Sequence, residues 1–202
     1  MEIRLTNTGK RFNREWIFRK FNHTFLRHKT YAITGPNGSG KSTLLQVISG
    51  ALMQTEGTVE YLKASGGAIT QPVQQLSIAA PYLELIEEMT ATELLNFHSV
   101  FKKFIKTIPA ILQEVGLEKA AGKQVRYFSS GMKQRLKLGQ AFFSAVPVLL
   151  LDEPTTNLDE DGIALYHRLI GEYAKEKTII ISSNDKQEYN FCSEVIDIGA
   201  YK

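Results

Sequence analysis

The run Gly35-Pro36-Asn37-Gly38-Ser39-Gly40-Lys41-Ser42-Thr43 has the residue types and spacing needed to hold a polyphosphate. It reads glycine, four residues, then Gly-Lys-Ser. Glycines let backbone N–H groups turn toward an anion without Cβ clashes. A helix that starts at the end of such a loop aims its unpaired N–H groups, and the positive end of its dipole, at the same anion. Lys41 adds a point charge for the outer phosphates, and the Ser42 hydroxyl is a candidate magnesium ligand. A second constellation ends the apolar run Val148-Leu149-Leu150-Leu151 with Asp152 and Glu153. An acid at the tip of a buried strand suits a magnesium ion held through water, which is the role expected of Asp152. Side chains alternate along a strand, so Glu153 is expected to point elsewhere and to orient an attacking water as general base. The two constellations make sense as one site only if they converge on a single magnesium–triphosphate.

Positioning them requires a strand before the glycine loop and a helix after it. Thr30–Thr34 is a short apolar run stopped by Gly35, and residues 44–48 carry apolar side chains at helical spacing. The runs 148–151 and 178–181 are continuously apolar, as central parallel strands buried on both faces are. Residues 57–61 and 76–80 alternate like strands, and 3–5 alternate weakly, as an edge strand does. From Thr90 to about Ala121 helix formers with apolar spacing dominate, opened by the capping-box pattern Thr90-Ala91-Thr92-Glu93. The expected architecture is an α/β fold with a largely parallel sheet, antiparallel β elements near the N-terminus and a helical subdomain over about 83–135. All of it is expected to lie in one domain spanning 1–202.

Bulk properties exclude several classes. A chain of 202 residues, 43% hydrophobic and 22% charged, is an ordinary globular composition with ample material for a core. The net charge of +3 tolerates an anionic ligand but is too weak to argue for nucleic acid. The single cysteine, Cys192, permits no internal disulfide, and a reducing, cytoplasmic setting fits best. The N-terminus shows no secretory pattern, and no apolar run approaches a bilayer span. Work at a membrane therefore implies a separate membrane partner.

The stretch Phe128-Ser129-Ser130-Gly131-Met132-Lys133-Gln134-Arg135 narrows the field. It resembles the signature of ATP-binding cassette (ABC) ATPases, Leu-Ser-Gly-Gly-Gln followed by Gln-Arg. The run Asp152-Glu153-Pro154-Thr155-Thr156-Asn157-Leu158-Asp159 is similar to the family's acid pair and the D-loop after it. Motif order and the helical insertion agree from about Ile3 to Ile198. The resemblance implies a P-loop NTPase core that binds and hydrolyses ATP with Mg2+. It also implies a head-to-tail homodimer or heterodimer in which Ser129 and the N–H of Gly131 reach the γ-phosphate held by the other subunit. An aromatic residue ahead of the P-loop stacks on adenine in this family; Phe12 is the first candidate by position and Trp16 the second.

Three motifs depart from the family pattern. Ser130 and Met132 stand where glycine and glutamine are usual. The switch histidine is replaced by Asn184 in Ser182-Ser183-Asn184-Asp185, so this position can donate a hydrogen bond to the γ-phosphate but cannot become a cation. The four histidines, His23, His28, His98 and His167, lie elsewhere and are expected to be packing or surface residues. Tyr82, after Pro81, takes the place of the Q-loop glutamine, with Gln71, Gln74 and Gln75 just upstream; a protonated tyrosine is a poor magnesium ligand.

What the resemblance implies about activity is the ATPase subunit of an ABC transporter, cytoplasmic and peripheral at the inner face of the plasma membrane, driving a separate transmembrane subunit. The alternative is an ABC ATPase acting on nucleic acid, the ribosome or a cytoplasmic assembly. A third reading is a binding module that has lost catalysis, against which Lys41, Asp152 and Glu153 argue. The basic residues Lys102, Lys103, Lys106, Lys119, Lys123 and Arg126 are read as a solvated face or one near anionic lipid, and no nucleic-acid partner is expected.

Overall fold

The apolar runs of the sequence become the interior of two β-sheets. A computed structural model describes residues 1–202. The elements run β1 (Glu2–Phe12), β2 (Glu15–Phe25), β3 (Thr30–Thr34), α1 (Lys41–Ser49), β4 (Glu56–Leu62), β5 (Leu76–Ala79), α2 (Ala91–Phe101), α3 (Ile108–Glu114), α4 (Ser130–Phe142), β6 (Val148–Asp152), α5 (Glu160–Tyr173), β7 (Thr178–Ser182), α6 (Lys186–Tyr189) and β8 (Glu194–Asp197). Five strands form a sheet in the order β5-β6-β7-β3-β8, every neighbouring pair parallel. The other three form an antiparallel sheet, β2-β1-β4.

Strand periodicity divides the core. Leu149, Leu151, Ile179 and Ile181 face α2 to α5 and pack with Leu95, Leu138, Phe142 and Tyr166. The alternate residues Val148, Leu150, Ile180, Tyr31 and Ile33 face the other way, onto α1 and the antiparallel sheet, where Phe18, Phe21 and Phe25 pack. Both faces of β6 and β7 are thus covered, which is why their sequences are apolar at every position.

Several expectations need correction. Residues 3–5 do not belong to an edge strand. They begin β1, an 11-residue strand in the middle of its sheet. Its alternation breaks at Asn7, which is left-handed at φ 46°, and the register with β2 and β4 shifts there, so only the first residues read as a strand. The helical stretch from Thr90 is not continuous: α2 ends at Phe101, and Lys102 turns away to donate to the carbonyl oxygen of Leu76. The capping box at Thr90 and Glu93 is formed as the pattern requires. Helix α4 crosses the boundary expected near 135. It begins among the helices and ends against β5, where Ser77 Oγ donates to the Ala141 carbonyl.

Candidate functional site

The parallel register brings three strand ends together. Asp152 closes β6 opposite Ser182 of β7, and Ser182 lies opposite Ile33 of β3, whose chain then enters the glycine loop. Loops leaving the carboxyl ends of adjacent parallel strands form the crevice in which such sheets bind ligands. An open cavity of about 310 Å³ occupies it, lined by Asn37, Gly38, Ser39, Gly40, Lys41, Ser42, Thr43, Glu153 and Ile17. The sequence placed the first eight at one site; Ile17, on β2, gave no signal. Ile17 explains the need for Gly40: a Cβ there would lie 2.4 Å from Ile17 Cγ2, and its φ of 102° disfavours any other residue. Gly40 also starts α1, so the helix N–H groups open onto the cavity. Lys41 is buried, its Nζ donating to the carbonyl oxygen of Gly35 at 2.8 Å and lying 3.5 Å from that of Pro36.

The acid pair sits in two different environments. Asp152 is 1% exposed, and its Oδ1 has no hydrogen-bond partner. Burial pushes its carboxyl above the usual range, against the opposing pull of the Ser42 and Ser182 hydroxyls and Lys41. A buried carboxylate with one oxygen left without a donor, and the Ser42 hydroxyl close by, fit a small hard cation. The chain has no cluster of three or more His, Cys, Asp or Glu side chains that would form an all-protein cage.

Glu153 reaches the cavity by a route other than the one expected. It has left the strand and stands in a left-handed conformation, φ 43°, with its N–H donating to the Ser182 carbonyl at 2.9 Å. Backbone conformation, not strand alternation, turns its side chain to the cavity. Burial, then the charge of Glu188, raises its carboxyl above the ordinary value.

Asn184 touches the loop directly. Its Oδ1 accepts from the Gly35 N–H at 3.2 Å, and its Nδ2 donates to Asn37 Oδ1 at 3.4 Å. Tyr82 lies near Asp152 and Gln46. Burial and then the Asp152 charge push its phenol up to about 12, so it is a neutral hydroxyl at physiological pH. Phe12 and Trp16 lie where β1 turns into β2, outside the cavity lining. Phe12 is 46% exposed, with Lys10 Nζ 5.0 Å from its ring centroid. Trp16 already has partners: Arg19 at 4.1 Å and Arg11 at 5.2 Å lie over its ring.

Ser129 and Gly131 are elsewhere. Ser129 caps α4, accepting from the Met132 N–H at 3.2 Å. A Cβ on Gly131 would come 3.0 Å from the Asn157 carbonyl oxygen, so glycine lets α4 approach the D-loop. Both residues line a second cavity of about 440 Å³ with Ser130, Met132, Arg135 and Asn157, and it shares no residue with the first. Two polar residues that the sequence did not single out tie these regions together, Gln134 and Glu188. Gln134 lay inside the signature stretch, whereas Glu188 was an isolated acid on a short helix. Half of the basic cluster is engaged within the chain: Lys102 with Leu76, Lys106 with Glu114, and Arg126 with Glu88.

Known proteins resemble this chain in sequence and in fold. The ABC transporter family model matches residues 18–156. The chain is 32% identical over 192 residues to the uncharacterized ABC transporter ATP-binding protein YybJ of Bacillus subtilis, covering 92% of this chain and 87% of that one. It is 29% identical to the lantibiotic transport ATP-binding protein SrtF of Streptococcus pyogenes, covering 96% and 85%. The dimeric structure of MJ0796, a bacterial ABC transporter cassette, shares the fold with a TM-score of 0.83 at 22% identity, over 98% of this chain and 95% of that one. With the family model spanning most of the chain and the α/β core in place, this chain belongs to the ABC transporter ATP-binding family.

Proposed function

We propose that this chain is the ATPase subunit of a transporter. It binds ATP with magnesium, pairs head to tail with a second ATPase subunit, and drives a separate membrane-spanning subunit from the cytoplasmic face. The observation that carries the reading is the split between two half-sites. The P-loop cavity holds Lys41, Ser42 and Glu153, while Ser129 and Gly131 line another cavity with no residue in common. A head-to-tail partner, identical or related, supplies the missing half to each. ATP then acts as the adhesive, and its hydrolysis releases the pair.

Within one half-site the roles follow from placement. The loop N–H groups and Lys41 bind the phosphates, and Phe12, exposed beside Trp16, offers a ring to adenine. Ser42 and Asp152 would hold the metal. When bound, magnesium would neutralise charge building on the β- and γ-phosphate oxygens. Glu153 orients the attacking water and accepts its proton, and the Asn184 amide donates to the γ-phosphate.

No helix is long and apolar enough to cross a membrane. Contact with the membrane partner is assigned to an open groove of about 720 Å³ lined by Pro81, Leu83, Ile86, Glu84, Glu87 and Glu88 among others. Its two lysines are engaged within the chain: Lys133 pairs with Glu87, and Lys137 donates to the carbonyls of Ala80 and Pro81. The exposed rings of Phe97 and Phe101 lie beside it. A groove of mixed apolar and acidic lining, in which Glu84 has no ion-pair partner, fits a short segment of the partner that carries apolar side chains beside a Lys or Arg.

The test is Glu153→Gln, which keeps shape and removes the base. Turnover should fall by about 100-fold or more while ATP binding survives. The variant should also elute as an ATP-dependent dimer in size-exclusion chromatography. Hydrolysis at the wild-type rate would remove Glu153 from the role.

A further inference from the structure

We infer that Glu188 and Gln134 are positioning residues for ATP hydrolysis, clamping the turn 153–155 from two sides so that Glu153 keeps its left-handed backbone and its aim at the cavity. The inference rests on Glu153 being the base. A non-glycine residue at φ 43° is strained and persists only where its surroundings over-determine it. The restraints are visible. Gln134 Nε2 donates to the Pro154 carbonyl at 2.8 Å from within α4. Glu188 Oε1 accepts from both the N–H of Thr155, at 2.7 Å, and its hydroxyl. The N–H of Glu153 itself is spent on Ser182, and that of Thr156 on the Glu153 carbonyl. Residues 153 to 155 therefore each have a main-chain group held.

Two features separate this from ordinary packing. Glu188 is 2% exposed, and its Oε2 has no partner, while Gln134 is also buried. Burying a half-satisfied carboxylate is unfavourable, and an apolar side chain would fill the same space without that cost. The second feature is where the two side chains come from. Gln134 lies on the helix that Ser129 caps, and Glu188 on the short helix that follows Asn184 and whose backbone carbonyl accepts from Tyr166 OH at 2.6 Å. Each clamp thus starts at a segment assigned to the γ-phosphate, one for the partner's nucleotide and one for the chain's own. Movement of either segment on nucleotide binding reaches Glu153 through a single side chain.

The experiment measures kcat and equilibrium ATP affinity for Glu188→Leu, Gln134→Leu, Glu188→Gln and Thr155→Val, with Glu153→Gln alongside. Glu188→Leu and Gln134→Leu should lower kcat by about 10-fold or more, the scale on which small misplacements of a reacting group act, with ATP affinity within about twofold of wild type. Glu188→Gln keeps an oxygen for Thr155 and should recover most of the rate. Unchanged kcat in the leucine variants, or kcat and affinity falling together with the melting temperature, would overturn the inference. If the leucine variants do not fold, Thr155→Val decides: it keeps the side-chain shape, removes the hydroxyl that Glu188 accepts from, and must lower kcat. Loss of turnover in Glu153→Gln beside wild-type kcat in Glu188→Leu and Thr155→Val would sink the clamp alone. Full turnover in Glu153→Gln would sink the assignment of the base instead.

Discussion

Asn184 shows how much a single residue can decide. It sits where the family resemblance implies a histidine, and its amide bridges Gly35 and Asn37 of the phosphate loop. An amide donor stays neutral, whereas an imidazole at the same place can present a charged N–H to the phosphate when protonated, giving up the acceptor that a neutral ring would offer the Gly35 N–H. Charge-assisted hydrogen bonds are roughly twice as strong as neutral ones, a gain of about 1 kcal/mol if realised in the transition state, or about 5-fold in rate. Asn184→His should therefore raise basal ATPase activity several-fold in steady-state assays. A flat or lower rate with folding intact would show that the switch position is not limiting. The departure itself was legible in the sequence, because the motif fixes the position. The aim of Glu153 was not: a left-handed residue after a strand leaves no trace in residue type, and alternation gave the right cavity for the wrong reason.

Elements were legible where one physical constraint dominated. Strands β3, β6 and β7 announced themselves because burial on both faces demands apolar residues throughout, and the Thr90 cap because its box is local. Strand β2 was missed: its run from Glu15 to Phe25 mixes charged and aromatic residues, with its burial pattern interrupted near Lys20, φ 53°. The break after α2 was also hidden, since Lys102 is a good helix former recruited by a carbonyl far away in sequence. The end of α2 carries a pH-sensitive joint. His98 Nδ1 accepts from Gln140 Nε2 at 2.9 Å, and Ser144 Oγ donates to the Gln140 carbonyl at 2.7 Å. That leaves Ser144 Oγ to accept from His98 Nε2 at 3.0 Å, which fixes a neutral ring between α2 and α4. Burial, then the charge of Lys102, pushes the imidazole down to about 4. The unfolded chain, with an ordinary histidine near 6.5, binds the proton first, so stability is lost as pH falls from about 6.5 toward 4. Between pH 7.5 and 5, His98 should account for roughly 1 kcal/mol of that loss after discounting its partial exposure. Urea denaturation at the two pH values should show a smaller difference in His98→Gln than in wild type; an equal difference would mean that the ring is charged in the fold.

At the scale of the whole molecule, the phosphate loop and the start of the signature helix open onto different cavities. Spacing along the chain does not state that the two motifs face different cavities; only the resemblance implied it, and the fold keeps Ser129 and Gly131 out of the cavity that the phosphate loop lines. If each composite site takes one half from each subunit, two kinds of damage can complement each other. Lys41→Ala removes the cation that binds phosphate. Gly131→Asp places a carboxylate where the partner's γ-phosphate would approach, and its Cβ is crowded by the Asn157 carbonyl. With Glu153→Gln added to trap nucleotide, neither variant alone should form an ATP-dependent dimer. A mixture should, because each heterodimer contains one undamaged site: the intact loop of the Gly131→Asp chain facing the intact signature of the Lys41→Ala chain. Size-exclusion chromatography with light scattering reads the result directly. A mixture that stays monomeric while Glu153→Gln alone dimerises would mean that Ser129 and Gly131 do not act across the interface, and the head-to-tail arrangement would fall with them.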